Sequence, residues 1–198
     1  MVFNGKFIYR GFLIFSILLS LLLLILQNLN YFSGFSISET TSNVTVNKYL
    51  SITFSSNLSG GIFFGLISSL PTINQNATHN YDKNFPTQNQ TDYYVNISTD
   101  SNTNVDLCIK ADGNLVNLAN DILKLGNETY ANSTITNSSV PSISDEISLT
   151  TSYIKSGENI AVGEANYYRF WLDVPIGQQS GDYNNTINFK GIQAGESC

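Results

Sequence analysis

The feature that most constrains this chain is a run of fifteen residues, Phe12 to Leu26, that carries no charge and is broken only by Ser16 and Ser20. Lys6 and Arg10 precede it, and the next charge is Glu39. The positive-inside rule then keeps the short N-terminus in the cytoplasm and exports everything after residue 35. The run sits at the upper end of a signal-peptide core, about 7–15 residues, and is short for a membrane span of about 20, although Leu29 to Phe32 could extend it. It can remain as an anchor. It can also be cut after Ser36 or Ser38, where Ser33/Ser36 and Ser36/Ser38 supply small residues, although no A-x-A site is present. Either way the expected division is a stub plus transmembrane or signal helix over 1–36 and an extracellular domain over 37–198.

Charged residues make up only 12% of the 198 and the formal net charge is −6, with Lys and Arg scattered. Nucleic-acid binding wants a basic stripe, so it is excluded as an expected partner. Aromatics at 12% set the chain apart from disordered tails. Asn, Thr, Tyr, Ile and Phe richness with frequent Gly predicts strands and turns.

Period-two alternation places the strands. Over Asn43 to Phe54, the residues Val44, Val46, Leu50, Ile52 and Phe54 share a face opposite Thr45, Asn47, Tyr49, Ser51 and Thr53. Lys48 is the exception on the apolar side, at an edge or snorkelling. Ser59 to Ile67 reads as a Gly-flanked strand, and 71–91 as a long polar loop. Asp92 to Thr99 and Asn104 to Ala111 alternate again; Cys108 stands with Asp106 and Lys110 on the face opposite Val105, Leu107 and Ile109. Asn114 to Gly126 fits a helix through Leu115, Leu118, Ile122 and Leu125, or a short strand at 122–125. Residues 127–145 read as a loop; Ile147 to Ile154, Tyr167 to Val174 and Tyr183 to Lys190 read as strands. About seven short strands with turn signals between them predict an all-β chain, an antiparallel Ig-like β-sandwich behind one N-terminal transmembrane or signal helix.

Nine N-x-S/T triplets begin at Asn43, Asn57, Asn76, Asn89, Asn96, Asn127, Asn132, Asn137 and Asn184. At this Asn, Ser and Thr content chance alone gives roughly five, so position says more than count. Asn43, Asn96 and Asn184 fall in predicted strands, each on the polar face; the other six fall in predicted loops or turns. A strand buries one face and can offer the other to a sugar. All nine are candidate glycosylation sites. Cys108 and Cys198 are the only cysteines. An exported pair of this kind is expected to form a disulfide, with the tail crossing over the outer face of the Cys108 strand. Closing a loop of about 90 residues would contribute up to ~4.5 kcal/mol by chain entropy.

Catalytic constellations are scarce. His79 is the single histidine and reads as a loop residue; one His cannot build a His-rich zinc site. No G-x-S-x-G, P-loop or dinucleotide fingerprint occurs. Asp100, Asn102 and Asn104 mimic the first ligands of a calcium loop, followed by Asp106 and Asp112. However, Val105 stands where that loop needs Gly and Ala111 where it needs Glu. Asp145-Glu146 reads as a solvated turn. Trp171, with Arg169 and Asp173 opposite Phe170, is either a stacking platform for sugar or packed against the second sheet or a covering loop. No enzyme, cofactor or metal site is predicted.

Three stretches, GGIFFG, VDLCIKADG and YYRFWLDVPIGQQSGDYNNTINFKG with a terminal Cys, resemble a group of small archaeal surface proteins. The architecture is also similar to archaeal thread-filament subunits, which implies that Ile37 to Val46 could complete the sheet of a neighbour. Arg10-Gly11 directly before Phe12 resembles an archaeal prepilin cleavage site, which implies a helix retained and packed in a pilus. The expected function is thus a non-enzymatic, glycosylated structural or adhesive protein at the cell membrane, partnered by the membrane through its helix. The alternatives are a filament subunit assembling with its own copies, and a carbohydrate- or calcium-binding surface module.

Overall fold

The structure is a computed structural model; it describes residues 5–29 and 41–198 except Pro86, with helix side chains described over 12–25. The chain divides into two compact units, Met1–Thr45 and Val46–Cys198. The first contains α1, Gly5–Leu29, rich in Leu, a strong helix former. Among the described residues no helix is long and apolar enough to cross a membrane. Of the two expectations, a transmembrane or a signal helix, the described residues do not support the first, and the charge-free run is itself short for a span. Fifteen residues at 1.5 Å each make about 22 Å of helix, against a hydrocarbon core of about 30 Å. The cleavage positions Ser33, Ser36 and Ser38, the start of the expected donor segment at Ile37, and the side chains of Lys6 and Arg10 lie outside the described residues.

The second unit is mostly β, and its ladders are antiparallel. In chain order it runs β1 Ile52–Phe54, the short helix α2 Ser56–Gly60, β2 Thr72–Asn76, β3 Tyr93–Ile97 and β4 Val105–Ala111. Then come β5 Leu115–Val116, β6 Ile122–Leu123, β7 Glu128–Ser133, β8 Ile147–Ser148, β9 Ile154–Ile160, β10 Ala165–Val174 and β11 Ile187–Gln193. The larger sheet has the order β1-β3-β10-β7-β8, with β2 also on β10; the smaller is β11-β4-β9; β5 and β6 form a hairpin. Ten-residue β10 is the spine. Its first half pairs with β3 and its second half with β2 along one edge, and β7 takes the other edge.

One core cluster draws on both sheets: Tyr93, Val95, Ile97, Tyr130, Tyr168 and Phe170 from the larger, Val105, Leu107, Ile109 and Ile160 from the smaller. This is consistent with a β-sandwich. The alternation read from β3, β4 and β10 put all of these except Tyr130 and Ile160 on inner faces. On the outer side of β4 the tail crosses as expected. Cys108 and Cys198 are bonded, Cα to Cα 5.9 Å, and the Gly195 amide donates to Asp106 Oδ2 at 2.9 Å. Asp106 also pairs with Lys155 at 2.8 Å. Burial works against the Asp106 charge, but the Asn159 amide, Lys155 and the Gly195 amide together hold its carboxyl below the usual range.

Several expected elements differ. The strand predicted over 43–54 is regular only from Ile52, leaving Val44 and Val46 exposed; Lys48 reaches Gln193. Residues 61–67 form no strand, because Gly61 and Gly65 adopt φ of 115° and 73°. The loops predicted at 71–91 and 127–145 contain β2 and β7. Asn114 to Gly126 is no helix: Asn120, at φ 67°, and the side chain of Asn117 fold it into the β5–β6 hairpin, and Leu118 is fully exposed. Ile147 to Ile154 is strand only at its ends. β11 begins at Ile187, so Asn184 lies outside it in an isolated bridge to Val116.

Candidate functional site

The outer face of the larger sheet gathers the most unusual side chains. On β10, Tyr167, Arg169, Trp171 and Asp173 point away from the core, alternating with Tyr168, Phe170, Leu172 and Val174. The segment between β2 and β3 folds over this face. In the gap that these two strands leave along β10, the side chain of Asn80 takes the place of a peptide group. Phe170 N–H donates to Asn80 Oδ1 at 2.9 Å, and Asn80 Nδ2 donates back to Phe170 O at 2.6 Å.

Arg169 lies beneath the same segment, wholly buried. Its Nε donates to Asn80 O at 2.8 Å, Nη1 to Pro141 O at 2.7 Å, and Nη2 to Asn137 O at 2.6 Å and Asn89 O at 3.3 Å. Tyr81 caps the guanidinium, its ring centroid 4.1 Å from Cζ. No carboxylate is among these partners, and burial lowers the arginine's pKa. The cation thus ties two loops to the sheet through their carbonyls. Trp171 is also buried, its Nε1 donating to Asn76 Oδ1 at 2.9 Å. Of the two readings of Trp171, packing under a covering segment is the one found, and the sugar platform is set aside: the ring is buried and bonded to Asn76.

Towards β3 the cover ends, and three half-buried rings form a row. Tyr94 packs 5.6 Å from Phe85 on one side and 5.6 Å from Tyr167 on the other. Asn96 stands next to Tyr94 on the same face of β3.

Beside the row, a polar cluster joins the start of α2 to the covering segment. Asn57 Nδ2 donates to the Asp92 carboxylate and lies 3.1 Å from His79 Nδ1, which is also 3.1 Å from Asp82 Oδ2. Burial, with the Asp82 charge nearby, raises the Asp92 pKa. Asp82 is lowered by the Asn84 amide and by His79. These groups bind one another.

A cavity of about 210 Å³ opens at the sandwich mouth, lined by Phe54, Leu58, Ile62, Ile187, Phe189 and Glu128 among others. Glu128 is almost fully buried. Burial pushes its carboxyl up to about 7, although Asn185 Nδ2 donates to Oε2 at 2.8 Å. Nothing in the sequence singles Glu128 out. It lies within the triplet Asn127-Glu128-Thr129, and only its register opposite Leu172 turns it inward.

The calcium-like stretch is not a ligand set. Asn102 Oδ1 accepts the Tyr49 amide and its Nδ2 donates to Asn47 O, while Asn104 Nδ2 donates to Asn159 Oδ1. Among the described residues no cluster of three or more His, Cys, Asp or Glu could hold a metal. Asp145 and Glu146 are exposed, as expected of a solvated turn, and Glu146 accepts from Thr129.

Of the sequon asparagines, Asn43, Asn76, Asn89, Asn137 and Asn184 are exposed and Asn57, Asn96, Asn127 and Asn132 are half-buried. Asn96 alone of the three expected in strands is in one; Asn76 and Asn132, expected in loops, lie in β2 and β7.

Fold and site together define a disulfide-closed, mostly-β domain in which Asn80, Arg169 and Trp171 hold covering segments on the larger sheet. No family model, curated protein or solved structure matches the chain.

Proposed function

We propose that this chain is an exported cell-surface protein with an Ig-like β-sandwich, N-glycosylated on its solvent faces. It acts as a structural or adhesive element and not as an enzyme. The N-terminal apolar segment directs it to the membrane or holds it there. The observation that supports this most is the Cys108–Cys198 bond, since structural disulfides persist in oxidising compartments. The positive charges before the apolar run and the resemblance to small archaeal surface proteins point the same way. Mass spectrometry of the protein from its native membrane tests it. Sugar on sequon peptides and a bonded cysteine pair are expected; bare sequons together with free thiols would refute the proposal. The same spectra give the first residue: Met1 for an uncleaved anchor, Phe12 for a pilin-type cut, Ile37 or Glu39 for a signal-peptidase cut.

One further observation favours a filament subunit as the second reading. β11 is an edge strand of the smaller sheet, beside the cavity at the sandwich mouth. Val44 and Val46 are 85% and 74% exposed, with no strand of their own to bury them. A segment of this pattern from a second copy could add to the β11 edge. Sedimentation of the mature protein over a range of concentrations tests this; a monomer throughout would remove it.

A further inference from the structure

Strand β3 ends in Tyr94-Val95-Asn96-Ile97, and Ser98 follows it directly. Val95 and Ile97 are buried in the core, so Tyr94 and Asn96 both face outward, about 7 Å apart along the strand. Asn96-Ile97-Ser98 is a glycosylation triplet, and the residue two before its asparagine is a half-buried aromatic ring. Across the ladder Tyr94 faces Tyr167, and Asn96 faces Ala165 on one side and Thr53 on the other. The neighbours flanking Asn96 are thus small, and Tyr167 sits on the diagonal, within reach of a large group. Phe85 and Tyr167 flank Tyr94 at 5.6 Å each and hold its ring in a fixed row.

We propose that Asn96 carries an N-linked glycan whose first sugar lies on the Tyr94 ring, so that the Phe85–Tyr94–Tyr167 row is the docking shelf for the chain's own sugar. The proposal rests on the reading of the chain as a surface glycoprotein. In the modification, Asn96 Nδ2 bonds to C1 of a lipid-linked sugar, the lipid phosphate leaves from C1, and Nδ2 loses a proton. Nothing is oxidised or reduced. The C–H face of a pyranose is apolar and slightly positive, and it is attracted to the negative face of an aromatic ring. The Asn96 amide is available for this, because no hydrogen bond holds its side chain among the described residues. Asn57 differs, since its amide already donates to Asp92.

The test is a cycle of full-length variants made in a host that attaches sugar to such sites: wild type, Ser98→Ala, Tyr94→Leu and the double variant. Ser98→Ala removes the triplet and keeps Asn96; Tyr94→Leu keeps apolar bulk and removes the flat ring. Glycopeptide mass spectrometry is expected to find Asn96 occupied. Ser98→Ala is then expected to lower Tm by about 2–5 °C with Tyr94 present and by under half of that in the Tyr94→Leu background. Upfield-shifted sugar protons in the wild-type NMR spectrum, lost in Tyr94→Leu, give a readout independent of stability. Equal Tm losses in both backgrounds, or a bare Asn96 beside other occupied sequons, overturn the shelf and leave the glycoprotein reading intact. Sugar on no sequon overturns both. Tyr94-dependent binding of free oligosaccharide, or Tyr94-dependent dimerisation of the Ser98→Ala protein, assigns the rings to another occupant and also overturns it.

Discussion

Replacing Arg169 should loosen two loops at once. Its guanidinium donates to four backbone carbonyls, Asn80, Asn89, Asn137 and Pro141, from segments that share no strand. A hydrogen bond to a charged group is worth about 1.5–3 kcal/mol net. Four of them cannot simply be added, because burying a cation with no carboxylate beside it costs several kcal/mol. The lowered pKa of Arg169, caused by burial, has the sign of that cost. Arg169→Met removes the cost together with the bonds, and also strands the carbonyls, each worth about 1–3 kcal/mol where water cannot reach. The expected net loss is about 3–4 kcal/mol, or about 10 °C in Tm for a domain of this size. Arg169→Lys keeps the charge but offers three donors from one nitrogen, which cannot span carbonyls on two loops; about 2 kcal/mol is expected. Thermal unfolding gives the totals. Hydrogen exchange gives the location: residues 77–91 and 134–141 should lose protection while β3, β4 and β10 keep theirs. A Met variant within about 0.5 kcal/mol of wild type, or loops that stay protected, would show that the arginine only fills space.

Asn80→Ala should cost about 2–3 kcal/mol, because the Phe170 amide in the gap between β2 and β3 loses its acceptor; urea denaturation should show a lower midpoint with an unchanged slope. Glu128 makes stability depend on pH in the less common direction. Its folded pKa of about 7 lies above the ordinary 4.5, so its contribution is complete below pH 4.5 and is lost as pH rises through about 7. That loss is about 3 kcal/mol, and Tm scans from pH 4.5 to 8 should show it in wild type and not in Glu128→Gln. Cys198→Ser opens a loop spanning 90 residues in sequence and should lower stability by up to ~4.5 kcal/mol, matched by adding reductant to the wild type.

The legible part of the fold is the part whose alternation separates apolar from polar residues. β3, β4 and β10 read correctly because Tyr93, Val95 and Ile97, then Val105, Leu107 and Ile109, then Tyr168 and Phe170, each mark an inner face. β7 was not legible, although it lies between β10 and β8. Its sequence ETYANS holds one large apolar ring, Tyr130, and its inner face begins with the buried Glu128. β2 was hidden in the same way, since TINQN sits largely exposed and pairs with only the far half of β10. The apolar residues of 61–67 misled in the opposite sense, because two glycines in left-handed backbone turn that segment away from any ladder. At the site, the alternation put Trp171 and Arg169 opposite Phe170. Only the three-dimensional path of β2, 77–91 and 134–141 decided that these two are fully buried while Tyr94 and Tyr167 stay half-buried.

The asparagine content has a structural use that competes with the glycan one. Asn80 stands in for a peptide group in the sheet, Asn117 Oδ1 holds the β5–β6 turn through the amides of Ala119 and Asp121, and Asn102 ties down the chain at Asn47 and Tyr49. Asn74, Asn89, Asn120 and Asn159 take positive φ, which asparagine tolerates better than most residues. A chain with only 12% charged residues has met much of its need for polar backbone partners with neutral amides. Triplets arise as a by-product of that choice, so their number alone is no measure of glycosylation. The Asn57 amide is held by Asp92, and the Asn76 carbonyl oxygen by Trp171. Asn96 differs from both: its side-chain amide is unused and faces outward beside Tyr94, which is why the proposed glycan is placed there and not at Asn57 or Asn76.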